Sequence, residues 1–142
     1  MKIRDATESD VTAMYAVDRV AIEEASRRQY IREWVKARQA IVALTDEVVV
    51  GYAVLEYTFF ANAFISILMV DGTSRRQGIA TALVKHFEET CVTNKLFTST
   101  NKSNKPMQRL MHSMSYEPSG IVYNLDEGDP ELFYVKRLPE NR

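Results

Sequence analysis

The sequence predicts an α/β protein of the mixed (α+β) kind, with a mostly antiparallel sheet of about seven strands and about four flanking helices. Three observations lead there. Apolar residues recur at helical spacing near the start and again over 79–91. Runs of β-branched and aromatic residues, broken by turn residues, fill the middle and the end. Residues 64–100 read as strand, helix, strand, a unit whose two strands run parallel with a right-handed crossover.

Ile3 begins a short strand, and Thr7-Glu8-Ser9-Asp10 clusters helix-capping residue types. Val11, Met14, Tyr15, Ile22 and Ala25 then form one helical stripe. A break is expected near Ser26-Arg27, and Tyr30, Ile31, Trp34 and Val35 form a second stripe. Residues 41–44, the polar turn Thr45-Asp46-Glu47 and 48–50 read as a hairpin, its second arm continuing through Tyr52, Val54 and Tyr57 to Phe59. A turn is expected at Ala61-Asn62-Ala63, then a strand over 64–70. Ile79, Ala80, Leu83, Val84, Phe87 and Cys91 share one face of the next helix. A strand over 96–100 and a helix over 104–114 follow. Strands over 116–124 and 132–138 end the pattern, joined through Asp126-Glu127-Gly128-Asp129-Pro130.

The chain has 142 residues, a length suited to one domain over 1–142. Eighteen basic and nineteen acidic residues cancel almost completely, which argues against nucleic-acid binding through a bulk positive field and leaves only a local patch open. A single cysteine excludes an internal disulfide framework and fits a reducing compartment. Neither a signal-peptide h-region nor an apolar run of spanning length is visible, so a cytoplasmic location is expected. No His/Cys/Asp cluster has metal-ligand spacing, so no metal is expected.

The chemistry concentrates in Val70-Asp71-Gly72-Thr73-Ser74-Arg75-Arg76-Gln77-Gly78-Ile79-Ala80-Thr81, a loop between a strand and a helix start. Gly78 lets the backbone approach a ligand closely, and the first helical amides have no internal partner. With Arg75 and Arg76 beside them, these groups suit a pyrophosphate. A nucleotide P-loop and a dinucleotide-binding glycine pattern are both absent. The residues alone leave open a plain helix start with solvated arginines.

Arg75-Arg76-Gln77-Gly78-Ile79-Ala80 resembles the Arg/Gln-x-x-Gly-x-Gly/Ala signature of the GNAT superfamily of N-acetyltransferases. Asn104-Lys105-Pro106-Met107-Gln108-Arg109-Leu110, followed by Met114-Ser115-Tyr116-Glu117, is similar to that family's second motif, an Asn-initiated helix ending in a Leu-Gly-Phe/Tyr-Glu corner. The resemblance covers essentially the whole chain and implies transfer of an acetyl group from acetyl-CoA to a primary amine by direct attack. It implies that backbone amides of Gln77, Gly78, Ile79, Ala80 and Thr81 hold the pyrophosphate, flanked by Arg75 or Arg76. The backbone of Leu68, Met69 and Val70 would bind the pantetheine arm, and Asn104 would contact the pantetheine or thiol end.

The chain departs most sharply from the family at one position. Where many members carry a tyrosine that protonates the leaving thiolate, seven residues after the asparagine, this chain has Met111, and a thioether donates no proton. Tyr116, His112, Ser113 or water are the candidate replacements, or the thiolate leaves unassisted. For the base that takes the amine's proton, Glu56 is the nearest carboxylate by strand position, with a solvated strand residue as its bland alternative. Asp126-Glu127-Gly128-Asp129-Pro130-Glu131 puts four acids into six positions and reads either as a solvated turn or as an acidic lip for a cationic acceptor, with Asp126, Glu127 and Asp129 as the candidate binding residues. The family's groove runs between the early helices and the loop joining the last strands, so Tyr30, Trp34, Phe59 and Phe60 are candidates for its apolar wall or for core. The expected partner is a small-molecule or peptide amine, with no nucleic acid and no membrane, and a homodimer is left open. The rival reading is a catalytically degenerate acyl-CoA-binding sensor or interaction module of the same fold, which Met111 favours.

Overall fold

Asp18 splits the first helical stretch. Its backbone is extended (φ −103°, ψ 106°), and its carboxylate accepts the amides of Val20 and Ala21 at 2.9 and 3.3 Å, which starts a new helix. The computed structural model describes residues 1–75 and 77–140. After strand β1 (Lys2–Asp5) it has three helices: α1 (Val11–Val17), α2 (Arg19–Glu23) and α3 (Ala25–Lys36). The breaks fall at Asp18 and Glu24, and the expected break at Ser26-Arg27 lies inside α3. Apolar spacing runs on past a capping side chain, so it cannot register one.

The remaining elements are β2 (Ala40–Thr45), β3 (Val48–Phe59), β4 (Asn62–Val70), α4 (Ile79–Thr90), β5 (Lys95–Asn101), α5 (Lys105–Ser113), β6 (Glu117–Val122) and β7 (Glu131–Arg137). The seven strands hydrogen-bond in the order β1-β2-β3-β4-β5-β7-β6. As expected, β4 and β5 are parallel, pairing Ala63 with Leu96 through Ile65 with Thr98. β1 with β2, β2 with β3, β5 with β7 and β6 with β7 are antiparallel. The β3–β4 turn is Phe60-Ala61, with φ of +51° and +63°, rather than Ala61-Asn62-Ala63. Two residues with positive φ match the strands' right-handed twist, and the Asn62 side chain donates to the Phe60 carbonyl at 3.1 Å.

The chain divides into two units. The first, Met1–Leu55 with Ile67–Phe87, has a core that includes Met14, Ala21, Ile31, Val42, Tyr52 and Val54. Asp18 is fully buried there. Its Oδ2 accepts the Tyr52 hydroxyl at 2.5 Å and Arg27 Nη1 at 3.0 Å, while Oδ1 takes the Val20 and Ala21 amides, so each carboxylate oxygen is used. A buried charge is tolerated only when paired this completely, and removing one partner of such a set costs about 3–5 kcal/mol. Gly51 in β3 is the other fixed point. A Cβ there would stand 2.9 Å from the Met69 carbonyl oxygen and 3.1 Å from Ile79 Cγ2. The glycine thus lets β4 and the start of α4 close onto β3.

The second unit is Glu56–Ser66 with Glu88–Arg142. Along β5, Leu96, Thr98 and Thr100 are buried while Phe97, Ser99 and Asn101 are half-buried, the period of two expected of a strand with unlike faces. Helix α5 is capped by Asn104, whose side chain accepts the Met107 amide at 3.2 Å, with Pro106 in its first turn. At its other end Tyr116 N–H bonds the Met111 carbonyl (2.9 Å) and Ser115 N–H that of His112 (3.1 Å). That pair of bonds is a Schellman turn, and Ser115 at its bend has φ +67°.

Candidate active site

The loop after β4 is closed locally before α4 begins. Asp71 N–H bonds the Val50 carbonyl at 2.8 Å, tying the end of β4 to β3. The Asp71 carbonyl and carboxylate in turn accept Ser74 N–H (2.9 Å) and Thr73 Oγ1 (2.7 Å). The chain then passes Arg75 and Gln77, both exposed, to Gly78. Arg76 lies outside the described residues.

Gly78 has φ +76°, and a Cβ built on it meets nothing within 4 Å. Its backbone is therefore open to a ligand and in a conformation that side-chain-bearing residues rarely adopt. The first helical bond of α4 runs from Ala82 N–H to the Gly78 carbonyl at 3.0 Å. The amides of Ile79, Ala80 and Thr81 precede that ladder and have no acceptor within the helix. No acidic residue stands in the first turn. Uncompensated amides and the positive end of the helix dipole suit an anion, so these residues fit a phosphate-bearing group. Leu68, Met69 and Val70, half-buried at the end of β4, belong to the same unit as this loop.

The other sequence-predicted residues, apart from Tyr30 and Trp34, fall in the second unit. Asn104 is exposed and serves as the cap of α5. His112 is exposed on α5 and Glu56 half-buried on β3. Lys105, Gln108, Arg109 and His112 line an open hollow of about 450 Å³. Met111 is fully buried.

Tyr116 is buried as well, and its hydroxyl donates to Glu88 Oε2 at 2.7 Å. Lys136 Nζ stands 3.2 Å from Glu88 Oε1 and 5.5 Å from the centre of the Tyr116 ring. Burial first, and the Glu88 carboxylate second, push the Tyr116 pKa well above the ordinary tyrosine value. That makes the phenol a weaker acid, with its proton already engaged. Schellman turns bring together the residues at the positions of Met111 and Tyr116, which is why the corner residue points inward.

The acidic hairpin is partly committed to holding itself in place. Asp126 Oδ2 accepts Asn101 Nδ2 at 2.9 Å, and Asp129 accepts both Ser103 N–H (2.9 Å) and Ser103 Oγ (2.5 Å). Glu127 is exposed at the tip. Tyr30 and Trp34 stack at 5.8 Å in the first unit, while Phe59 and Phe60 belong to an aromatic cluster in the second. Sequence reasoning missed Ser66 of that second unit and took Glu131 only as one of the four acids of residues 126–131. Glu131 accepts Ser99 Oγ at 2.7 Å, and Ser66 Oγ is buried without a partner. Both stand two residues from a phenylalanine of the same strand, a period-of-two signal that could have flagged them.

With this geometry in place, the comparisons with known proteins agree. The model of the Acetyltransferase (GNAT) family matches residues 8–116, and the chain belongs to that family. A GNAT-family acetyltransferase from Bacillus cereus is 32% identical, with 97% of each chain covered and a TM-score of 0.91. Ard1 from Thermoplasma volcanium shares the fold at 18% identity, 98% of each chain covered and a TM-score of 0.84. So does yncA from Salmonella typhimurium, solved with its cofactor acetyl-CoA, at 18% identity, covering 100% of this chain and 96% of that one, with a TM-score of 0.82. No curated protein matches in sequence. Among the described residues, no helix is long and apolar enough to cross a membrane.

Proposed function

We propose that residues 1–142 act as one cytoplasmic acetyltransferase domain that moves an acetyl group from acetyl-CoA to a primary amine by direct attack, without a metal. The observation that carries the reading is the Gly78 turn, open at positive φ and followed by three amides that no helical carbonyl satisfies. Amides from Gln77 to Thr81, with Arg75, would hold the pyrophosphate. The backbone of Leu68, Met69 and Val70 would hold the pantetheine, with Asn104 at its thiol end. Bound acetyl-CoA supplies an acyl thioester whose thiolate, with a pKa of about 8.5, is a tolerable leaving group. The chain must orient the amine and take its proton, while the thiolate either leaves unassisted or takes a proton from a side chain or water. Glu56 is the proposed base. For the returned proton, His112 is exposed on α5, whereas Tyr116 first has to release Glu88. Asp126, Glu127 and Asp129 would attract a cationic acceptor.

Gly78→Pro tests the coenzyme part. Proline cannot adopt φ near +76° and removes a donor. Acetyl-CoA affinity is expected to fall at least tenfold in calorimetric titration, with acceptor affinity little changed. A folded variant with full coenzyme affinity would sink the assignment. Buried Met111, unable to give a proton, favours the second reading, an acyl-CoA-binding module without transfer. Thiol release from acetyl-CoA across a panel of amines separates the two.

A further inference from the structure

The second unit has a sheet with two unlike faces. Leu96, Thr98 and Tyr134 are buried on one. On the other, register pairs Phe64 with Phe97, Ser99 with Phe133, and Asn101 with Glu131. Phe59 joins this second face, its ring centre 4.9 Å from that of Phe64, 5.1 Å from Phe97 and 5.6 Å from Phe133. All four rings are only half-buried. Across β7 the neighbour of Phe133 on β6 is Gly120, which has no side chain to cover it. Phe60, 86% exposed, extends the cluster edge-on at 5.2 Å from Phe59. It does so at φ +51°, where asparagine or glycine would be the favoured choice, so folding alone does not call for a phenyl ring there.

A carboxylate ends this aromatic strip. Glu131 stands two residues before Phe133, on the same face and about 7 Å along the strand. Ser99 Oγ holds it by donating to Oε2 at 2.7 Å. Among the described residues, no lysine or arginine forms a salt bridge with it. Ser66, on the same face as Phe64 by strand alternation, carries a buried hydroxyl without a partner. Apolar rings beside a positioned, unneutralised carboxylate complement a cation with an apolar body.

We propose that this face binds the acceptor, and that the acceptor is an amine bearing an aromatic or extended apolar group. Its ammonium is held by Glu131 and its apolar part lies on Phe133, Phe97 and Phe59, with Phe60 as a flap. A tether of two or three carbons between ring and nitrogen bridges the spacing. Naming this face as the acceptor's rests on the acetyl-transfer reading, whereas the binding itself does not.

The test is direct binding to the whole protein, by calorimetry, of 2-phenylethylamine, ethylamine and the neutral 2-phenylethanol. Phenylethylamine is expected to bind at least tenfold more tightly than either of the others. Glu131→Gln should remove its advantage over phenylethanol, and Phe60→Ser, at an exposed turn where the fold is not at risk, should cut its advantage over ethylamine severalfold. Equal binding of phenylethylamine and ethylamine overturns the proposal. So does a dimer in sedimentation that Phe60→Ser dissociates while amine selectivity is unchanged, because a second copy is then the occupant. Steady-state turnover separates the two readings. Selective binding with no acetylation of any amine keeps this site and removes the transfer reading. Acetylation of ethylamine as efficiently as phenylethylamine keeps transfer and removes this site.

Discussion

The Tyr116 hydroxyl donates to a carboxylate that Lys136 also holds. A hydrogen bond to a charged group contributes about 1.5–3 kcal/mol, so Tyr116→Phe is expected to lower the melting temperature by several degrees. If that bond is all the hydroxyl does, kcat stays near wild type, whereas a fall of about a hundredfold would make it the proton donor. Asp10 offers a pH-dependent counterpart. Bonds from the Arg4 guanidinium, at 2.7 and 3.1 Å, and from the Thr7 amide, at 2.7 Å, hold its carboxyl below the ordinary aspartate value despite burial. A depressed pKa means the charged form is favoured by folding. Its stabilisation is fully present above the unfolded pKa of about 4 and is lost as pH falls through the folded value. Asp10→Asn is therefore expected to destabilise by about 1–2 kcal/mol at pH 7. In denaturant titrations the gap to wild type should close below pH 4.

Helix α5 ends in a bend that asks for a residue able to hold positive φ. Serine occupies it, at φ +67°, in the place where the family's corner has glycine. A side chain in that conformation costs about 1–2 kcal/mol, so Ser115→Gly is expected to raise stability by about 1 kcal/mol, read as a shift in the chemical-denaturation midpoint. No gain would mean that the serine is compensated locally. The Asn104 cap at the other end and the His112 and Met111 carbonyls at this one fix the register of the helix. Its apolar residue Met111 thereby lands in the interior and His112 on the surface. The helix Val11–Val17 shows the converse. Apolar periodicity carried on through Asp18, but a single carboxylate capping two amides ended one helix and began another.

Over the whole molecule the formal charge is only −1, so any attraction for a cationic acceptor has to be local. In the acidic hairpin, Asp126 and Asp129 are bound to Asn101 and Ser103, and Glu127 is exposed. Glu127→Gln is expected to raise the amine's KM about twofold to threefold at low salt. The difference should vanish near 0.5 M salt, where the screening length is shorter than the hairpin's reach. An unchanged KM at low salt would leave the acids a structural role only. The strand alternation and the open turn at Gly78 were legible in the sequence because each depends on residues close together in the chain, and the parallel β4–β5 pairing because a strand–helix–strand unit crosses over in one way. The direction of Tyr116 and the pairing of Glu131 with Ser99 were not, because their partners lie 28 and 32 positions away. By itself the sequence determined the element types, the glycine turn before α4 and the loss of the family's tyrosine at Met111, since backbone φ, capping and proton-donor chemistry belong to individual residues. Only the tertiary structure decided that β7 inserts between β5 and β6 and that four half-buried phenylalanines gather on one face. Strand order and side-chain neighbours arise from hydrogen bonds and packing across long loops, which no local pattern encodes.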